Sequence, residues 1–328
     1  MKKNILLNLL LGLLLINGCG EDSTVAGPQD PDDALGAQSS SSPTEISSVE
    51  ETSSNAVVPS SSSAEKSSSS QSPSCSSAEL SSSSEELKIL LVGNDVHKDG
   101  PLATVIDHNK GPEGKGVIVR PKDLSNSPNE KHPLIIWGPG GGSEPLYYEF
   151  LLRRLASMGF VVYSEESNGE GSEMFAALNW LEQQAELKDK LLFDRVGVAG
   201  HSWGGLSAEG IAARDQRVVT ALLANSGAFG GDGNVNMKVP VALIYGDHDD
   251  MAKPNAINDY NNPANKNPLW LGGMKGGGHG SGPWDGAGAI IAWLRWHVGG
   301  EENLRNEFLG HGGEFNNNGI WITSSKNW

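Results

Sequence analysis

The chain has 328 residues, with 24 Lys and Arg against 40 Asp and Glu and a net charge of −16. That acidic balance argues against nucleic acid as a partner, because phosphate binding needs clustered cations. Both cysteines, Cys19 and Cys75, precede the region that carries every Trp, Tyr and Phe. A folded core built from that region therefore has no internal disulfide, no thiol catalysis and no thiolate metal site.

The N-terminal residues read as a targeting segment and a spacer. Met1-Lys2-Lys3 is a cationic start, and residues 5–16 form an apolar run too short to span a bilayer comfortably. Residues 1–18 are thus expected to be a signal peptide. Leu15-Ile16-Asn17-Gly18-Cys19 resembles a bacterial lipobox, which implies cleavage before Cys19 and lipid attachment to its sulfur. Glu21 and Asp22 resemble surface-export signals of some gram-negative bacteria. The expected location is the cell envelope, lipid-anchored at the outer membrane, periplasmic or surface-exposed, with plain secretion as the alternative. Residues 19–87 carry serine runs at 39–42, 60–63, 67–70 and 81–84. Such composition cannot bury enough apolar surface to offset ordering entropy, so a disordered tether is expected.

Residues 88–328 carry the pattern of a folded domain. Strands are expected at 88–92, 116–120, 133–137, 160–163, 218–223, 240–245 and, last, 268–274. Helices are expected at 149–158, 174–184 and 287–298. Residues 101–114 and 122–131 read as polar passages. The run Leu134-Ile135-Ile136-Trp137 has no alternation, as in a strand buried on both faces. Buried strands alternating with helices predict an α/β class: a mostly parallel central sheet with helices on both faces. Ligands of such sheets bind beyond the carboxyl ends of the strands.

The chemistry concentrates in Arg195–Leu206. Val196 and Val198 feed Gly200-His201-Ser202-Trp203-Gly204, after which the apolar spacing turns helical. This is G-x-S-x-G between a strand and a helix, the context of a nucleophile elbow. An activated serine needs a base, and the base an orienting carboxylate. Asp247, Asp249 and Asp250 follow the strand ending at Tyr245. Asp249 is favoured, since it lies far enough past Tyr245 to be on the loop. His279 sits among glycines after the last expected strand and is the candidate base, ahead of His297 and His311. His201 is expected to pack or hydrogen-bond near the elbow. Oxyanion donors are expected from the Trp203 N–H at the start of its helix and from Gly140 or Gly141 in the loop after Trp137. Trp203 and Ser143 are expected to line a substrate pocket. Nothing in the sequence points to a metal or other cofactor.

Several blocks together carry a family resemblance: His132–Gly138, Leu155–Val162, Gly197–Gly205, Gly246–Asp249, Gly276–His279 and Ala292–Trp296. The chain from Asp99 to about Leu309 resembles bacterial α/β-hydrolases of the cutinase-like, polyester-hydrolase and chlorophyllase/dienelactone-hydrolase group. The resemblance implies an α/β-hydrolase fold, a Ser202–Asp249–His279 triad and ester hydrolysis through an acyl-enzyme. Two features depart from that group. The C-terminal disulfide common among its members is absent, and the Gly-Pro-Gly-Gly-Gly loop lacks the aromatic that helps polyester hydrolases clamp a polymer.

The expected function is a monomeric serine carboxylic ester hydrolase acting on acetyl or feruloyl esters of plant polysaccharide. A short-chain lipase or cutinase-like polyesterase is the alternative. A non-catalytic surface-binding lipoprotein on the same fold represents the other class.

Overall fold

The computed structural model describes residues 86–228 and 237–328. The signal peptide, the lipidation residue Cys19, Cys75 and almost all of the spacer lie outside the described residues. The described chain builds a ten-stranded sheet. In chain order the strands are β1 (Lys88–Ile89), β2 (Thr104–Lys110), β3 (Gly116–Pro121), β4 (Glu130–Gly138), β5 (Val161–Ser164) and β6 (Leu191–His201). They continue with β7 (Val218–Ala224), β8 (Val241–Gly246), β9 (Leu269–Met274) and β10 (Trp321–Lys326). The helices are α1 (Glu149–Ser157), α2 (Ser172–Leu181), α3 (Trp203–Ala212), α4 (Ala252–Asn261), α5 (Ser281–Trp284), α6 (Ala287–His297) and α7 (Arg305–Leu309).

Spatial order across the sheet is β2-β3-β5-β4-β6-β7-β8-β9-β10, with β1 paired to the start of β4. Pairing is parallel from β5 through β9 and antiparallel at both edges, β2–β3–β5 and β9–β10. The central strands are buried on both faces because residue parity sorts their side chains. Ile135, Trp137, Leu222 and Ile244 pack with α1 and α6, while Leu134, Ile136, Leu223 and Leu243 pack with α2 and α3.

The strands that differ from expectation lie at the sheet edges, and helix α4 is not among the expected elements. The first strand shrinks to two residues, and β2 occupies part of the passage read as polar. Its sequence, TVIDHNK, is half-buried and only one pairing deep in the sheet, so it carries little apolar signal. Residues 268–274 are not the last strand, because β10 adds beside β9 with only Trp321 buried. Helix α4 was hidden by Pro254, Asn255, Asn258 and Asp259, which read as turn chemistry. The proline stands in the first turn, where its missing N–H breaks no helical bond.

Candidate active site

Strand β6 ends at His201 and α3 begins at Trp203, so Ser202 makes the turn by itself. Its backbone takes φ 53° and ψ −116°, which an L residue holds only under strain. The turn closes because its neighbours lack side chains. A Cβ on Gly200 would come within 2.2 Å of Gly204 C, and one on Gly204 within 1.9 Å of Gly138 O. The end of β7 braces it from the side. Ser202 N–H donates to Ala224 O at 2.9 Å, and Ser226 Oγ donates to Ser202 O at 2.7 Å.

His279 lies in the loop between β9 and α5, with Nε2 3.0 Å from Ser202 Oγ. Its Nδ1 is 3.1 and 3.0 Å from Asp249 Oδ1 and Oδ2. The three acidic candidates separate cleanly. Asp249 is 2% exposed, Asp250 faces solvent, and Asp247 accepts a hydrogen bond from Gly276 N–H at 2.7 Å. Asp249 also accepts from Ala252 N–H at 3.0 Å, Met251 N–H at 3.2 Å and Asn225 Nδ2 at 2.9 Å. Burial pushes its carboxyl up. The hydrogen bonds from Ala252, Asn225 and His279 outweigh that, and the group titrates below the ordinary aspartate range. An ionised Asp249 can only accept, so His279 Nδ1 carries the proton and the Nε2 lone pair faces the serine hydroxyl.

The other histidines go elsewhere. His248 is exposed beside Asp247, His311 is exposed, and His297 is half-buried and stacked on Trp296 with ring centroids 4.1 Å apart. His201 hydrogen-bonds near the elbow, to Tyr148 Oη at 2.8 Å and to the His279 carbonyl at 2.7 Å.

For the oxyanion donors the structure separates the two glycines. Gly140 N–H donates to Tyr148 Oη at 2.9 Å, which removes Gly140 from the candidate pair. Gly141 lies against the Trp203 ring, where an added Cβ would stand 3.0 Å from Cδ1. Trp203 is the first residue of α3, so its N–H has no partner within the helix. Trp203 is 48% exposed, and its indole also covers Gly169. Ser143 lines a cavity of about 820 Å³ together with Gly142, Glu144, Glu165, Glu166 and Asn168. Neither Trp203 nor any residue of the Ser202–Asp249–His279 cluster lines it, so the two expected pocket residues do not share one cavity.

No family model matches the chain. Over 85 residues it is 34% identical to a proline iminopeptidase of Clostridioides difficile, a stretch covering 24% of this chain and 29% of that protein. Over 99 residues it is 30% identical to a bis(hydroxyethyl) terephthalate hydrolase of Streptomyces coelicolor, covering 28% and 31% respectively. Each match spans less than a third of the relative's length. Similarity to two hydrolases joins a mostly parallel sheet with a strained serine between a strand and a helix. The fold is an α/β-hydrolase fold. In such a fold the triad order along the chain is serine, acid, histidine, as in Ser202, Asp249 and His279.

Two residues of this α/β-hydrolase site escape sequence reasoning. Asn225 follows directly on β7 with φ 47° and is fully buried. It donates to Asp249 and to the Gly278 carbonyl, and accepts from Gly282 N–H at 2.7 Å. A buried polar residue at the carboxyl end of a central strand was the available signal. Tyr148 ends a short 3-10 turn before α1 and is also fully buried. Its neighbour Tyr147 is exposed, and the sequence Tyr-Tyr does not say which one turns inward.

Proposed function

We propose that this protein is a serine hydrolase that cleaves carboxylic esters through an acyl-enzyme. The observation carrying the reading is the 3.0 Å approach of His279 Nε2 to Ser202 Oγ, with Nδ1 held on the buried Asp249. In the proposed cycle, Nε2 takes the Oγ proton as Oγ attacks the ester carbonyl. The N–H groups of Trp203 and Gly141 receive the tetrahedral oxyanion. Collapse expels the alcohol, which leaves with the proton held on His279. Water then repeats the sequence on the acyl-serine and releases the acid.

Acetyl or feruloyl esters of plant polysaccharide are the proposed substrates. The glutamates of the cavity that Gly142 and Ser143 line offer acceptors for sugar hydroxyls, and the half-exposed Trp203 offers a ring face to an aromatic acyl group. A second reading, a short-chain lipase or cutinase-like polyesterase, is favoured by the similarity to a terephthalate-ester hydrolase. The proposal includes lipid anchoring at Cys19, with the serine-rich spacer carrying the domain toward insoluble material outside the cell.

A panel of nitrophenyl acetate and longer acyl esters, acetylated xylan, methyl ferulate and a polyester film tests these readings, with Ser202→Ala as the control. Turnover that survives Ser202→Ala sinks the mechanism. Activity confined to polyester and longer acyl chains sinks the carbohydrate reading, and no hydrolysis of any member favours a binding role. Cys19→Ser should abolish lipid labelling and release the protein from membranes.

A further inference from the structure

His201 stands between the elbow glycine and the nucleophile, 8% exposed, with both ring nitrogens engaged. The chemistry of its partners fixes the direction of each bond. The His279 carbonyl can only accept, so His201 Nε2 carries the proton and donates to it at 2.7 Å. Nδ1 is then bare and accepts the Tyr148 hydroxyl proton at 2.8 Å. The Tyr148 oxygen in turn accepts Gly140 N–H at 2.9 Å. Burial holds the His201 imidazole down at about 4 and pushes the Tyr148 phenol up, so both are neutral at ordinary pH, as this directed chain requires.

The two ends of the chain are glycine-rich loops. Residues 138–142 are Gly-Pro-Gly-Gly-Gly, and residues 276–280 are Gly-Gly-Gly-His-Gly. Such segments lose more backbone entropy on ordering than any others and have few side chains of their own to fix them. Each needs an anchor from outside, and His201, rigid at the end of β6, reaches both. The fit is tight at Gly140, where a Cβ would stand 2.9 Å from His201 Nδ1 and 3.1 Å from Tyr148 Oη. Trp284 closes over the imidazole edge-on, with centroids 6.0 Å apart at 90°.

We propose that His201 is a positioning residue which, through Tyr148 and the His279 carbonyl, holds the oxyanion loop and the base loop in one register. The inference rests on the esterase reading of Ser202 and His279. Neither His201 nor Tyr148 touches substrate in it. They act by keeping the Gly141 peptide and the His279 imidazole in place around the same tetrahedral intermediate. This explains why one neutral, fully bonded imidazole is buried next to the nucleophile.

Tyr148→Phe removes a single oxygen and leaves the ring in its buried place. Sites are counted by titration with a nitrophenyl phosphonate, so that unfolded chains drop out, and kcat is taken per titrated site. Expected is a fall in kcat of about tenfold or more, less than outright loss of an oxyanion donor, with KM within about twofold. His201→Gln, which keeps an N–H near the Nε2 position, should recover part of the kcat lost in His201→Leu. Hydrogen exchange gives a readout independent of activity. In His201→Leu both loops, 138–143 and 276–280, should exchange faster while the central strands do not. Wild-type kcat per site in Tyr148→Phe, or faster exchange in one loop only, overturns the coupling. Hydrolysis surviving in Ser202→Ala overturns the esterase reading instead, so the two failures are distinguishable.

Discussion

Asn225 Nδ2 lies 2.9 Å from Asp249 Oδ2, on a side chain that also donates to Gly278 O and accepts from Gly282 N–H. One amide thereby joins the ends of β7 and β8 to the loop that carries His279. Asn225→Ala leaves a buried carboxylate short of a donor and a buried N–H without its acceptor. Stability should fall by about 2–4 kcal/mol in urea unfolding, and kcat/KM by about tenfold or more. Wild-type values for both would show that Asp249 is held by its backbone donors alone.

Asp249→Asn should be the most damaging isosteric change in the site. An amide in that place can donate to Nδ1 and reverse the His279 tautomer, which turns the lone pair away from Ser202. A loss of about 10³–10⁴ in kcat is expected, with KM nearly unchanged. Asp250→Asn, at an exposed position one residue along, should retain the wild-type rate. Equal losses in the two variants would mean that another acid orients the base.

Acid should destabilise the fold through three desolvated histidines, His132, His201 and His297. Burial holds His132 below the ordinary imidazole range. Burial lowers His201 to about 4, and burial with the nearby Arg195 charge lowers His297 to about 3. All three take up a proton near 6.5 once unfolded. Between those limits the unfolded chain binds more protons, so stability is lost as pH falls from about 6.5 toward 4. The slope should be about 1.4 kcal/mol per pH unit for each of His201 and His297. Urea titrations at pH 7, 6 and 5 measure it. His297→Leu, which removes a ring whose Nε2 has no hydrogen-bond partner among the described residues, should flatten the slope by about 1.4 kcal/mol per pH unit. An unchanged slope would assign the acid sensitivity to other groups.

Trp203→Ala separates the acyl classes. The backbone N–H stays, while the exposed indole over Gly141 and Gly169 is lost. For feruloyl or other aromatic acyl esters KM should rise by about tenfold, and for acetyl esters by less than about twofold. A parallel loss on both would assign the ring a structural role in the elbow.

The cavity beside Ser143 should select on charge. Its walls carry Glu113, Glu144, Glu165, Glu166 and Glu173 against the single lysine Lys115. Esters of neutral sugars should therefore react about tenfold faster than matched uronic acid esters at low salt, and the gap should shrink as salt is added. A salt-independent ratio would place the sugar outside this cavity.

The sequence by itself determined the central strands, the elbow and the order of the chemistry. Runs such as Leu134–Trp137 and Pro240–Tyr245 are apolar at every position because both faces are covered, and that holds whatever the neighbouring strands are. Gly200 and Ser202 are likewise a local matter, since a Cβ on Gly200 would meet Gly204 across the strained turn. Gly204 is instead required by the close approach of Gly138 at the end of β4. The edge strands β2 and β10 were not legible, because a half-exposed strand is defined by the partner it pairs with rather than by its own apolar content. Among three clustered aspartates, the loop position past Tyr245 already favours Asp249, the one that reaches the imidazole. Tertiary structure alone decided which of two adjacent glycines points its N–H at Tyr148. It also brought Asn225, Tyr148 and His201 into contact with loops 53 to 78 residues away or only eight. Those choices rest on directed hydrogen bonds between segments distant in the chain. A spacing rule in one dimension carries the identity of such groups but not their orientation. The elbow supplies a strained serine, and the packing of five strand ends supplies everything that orients the groups around it.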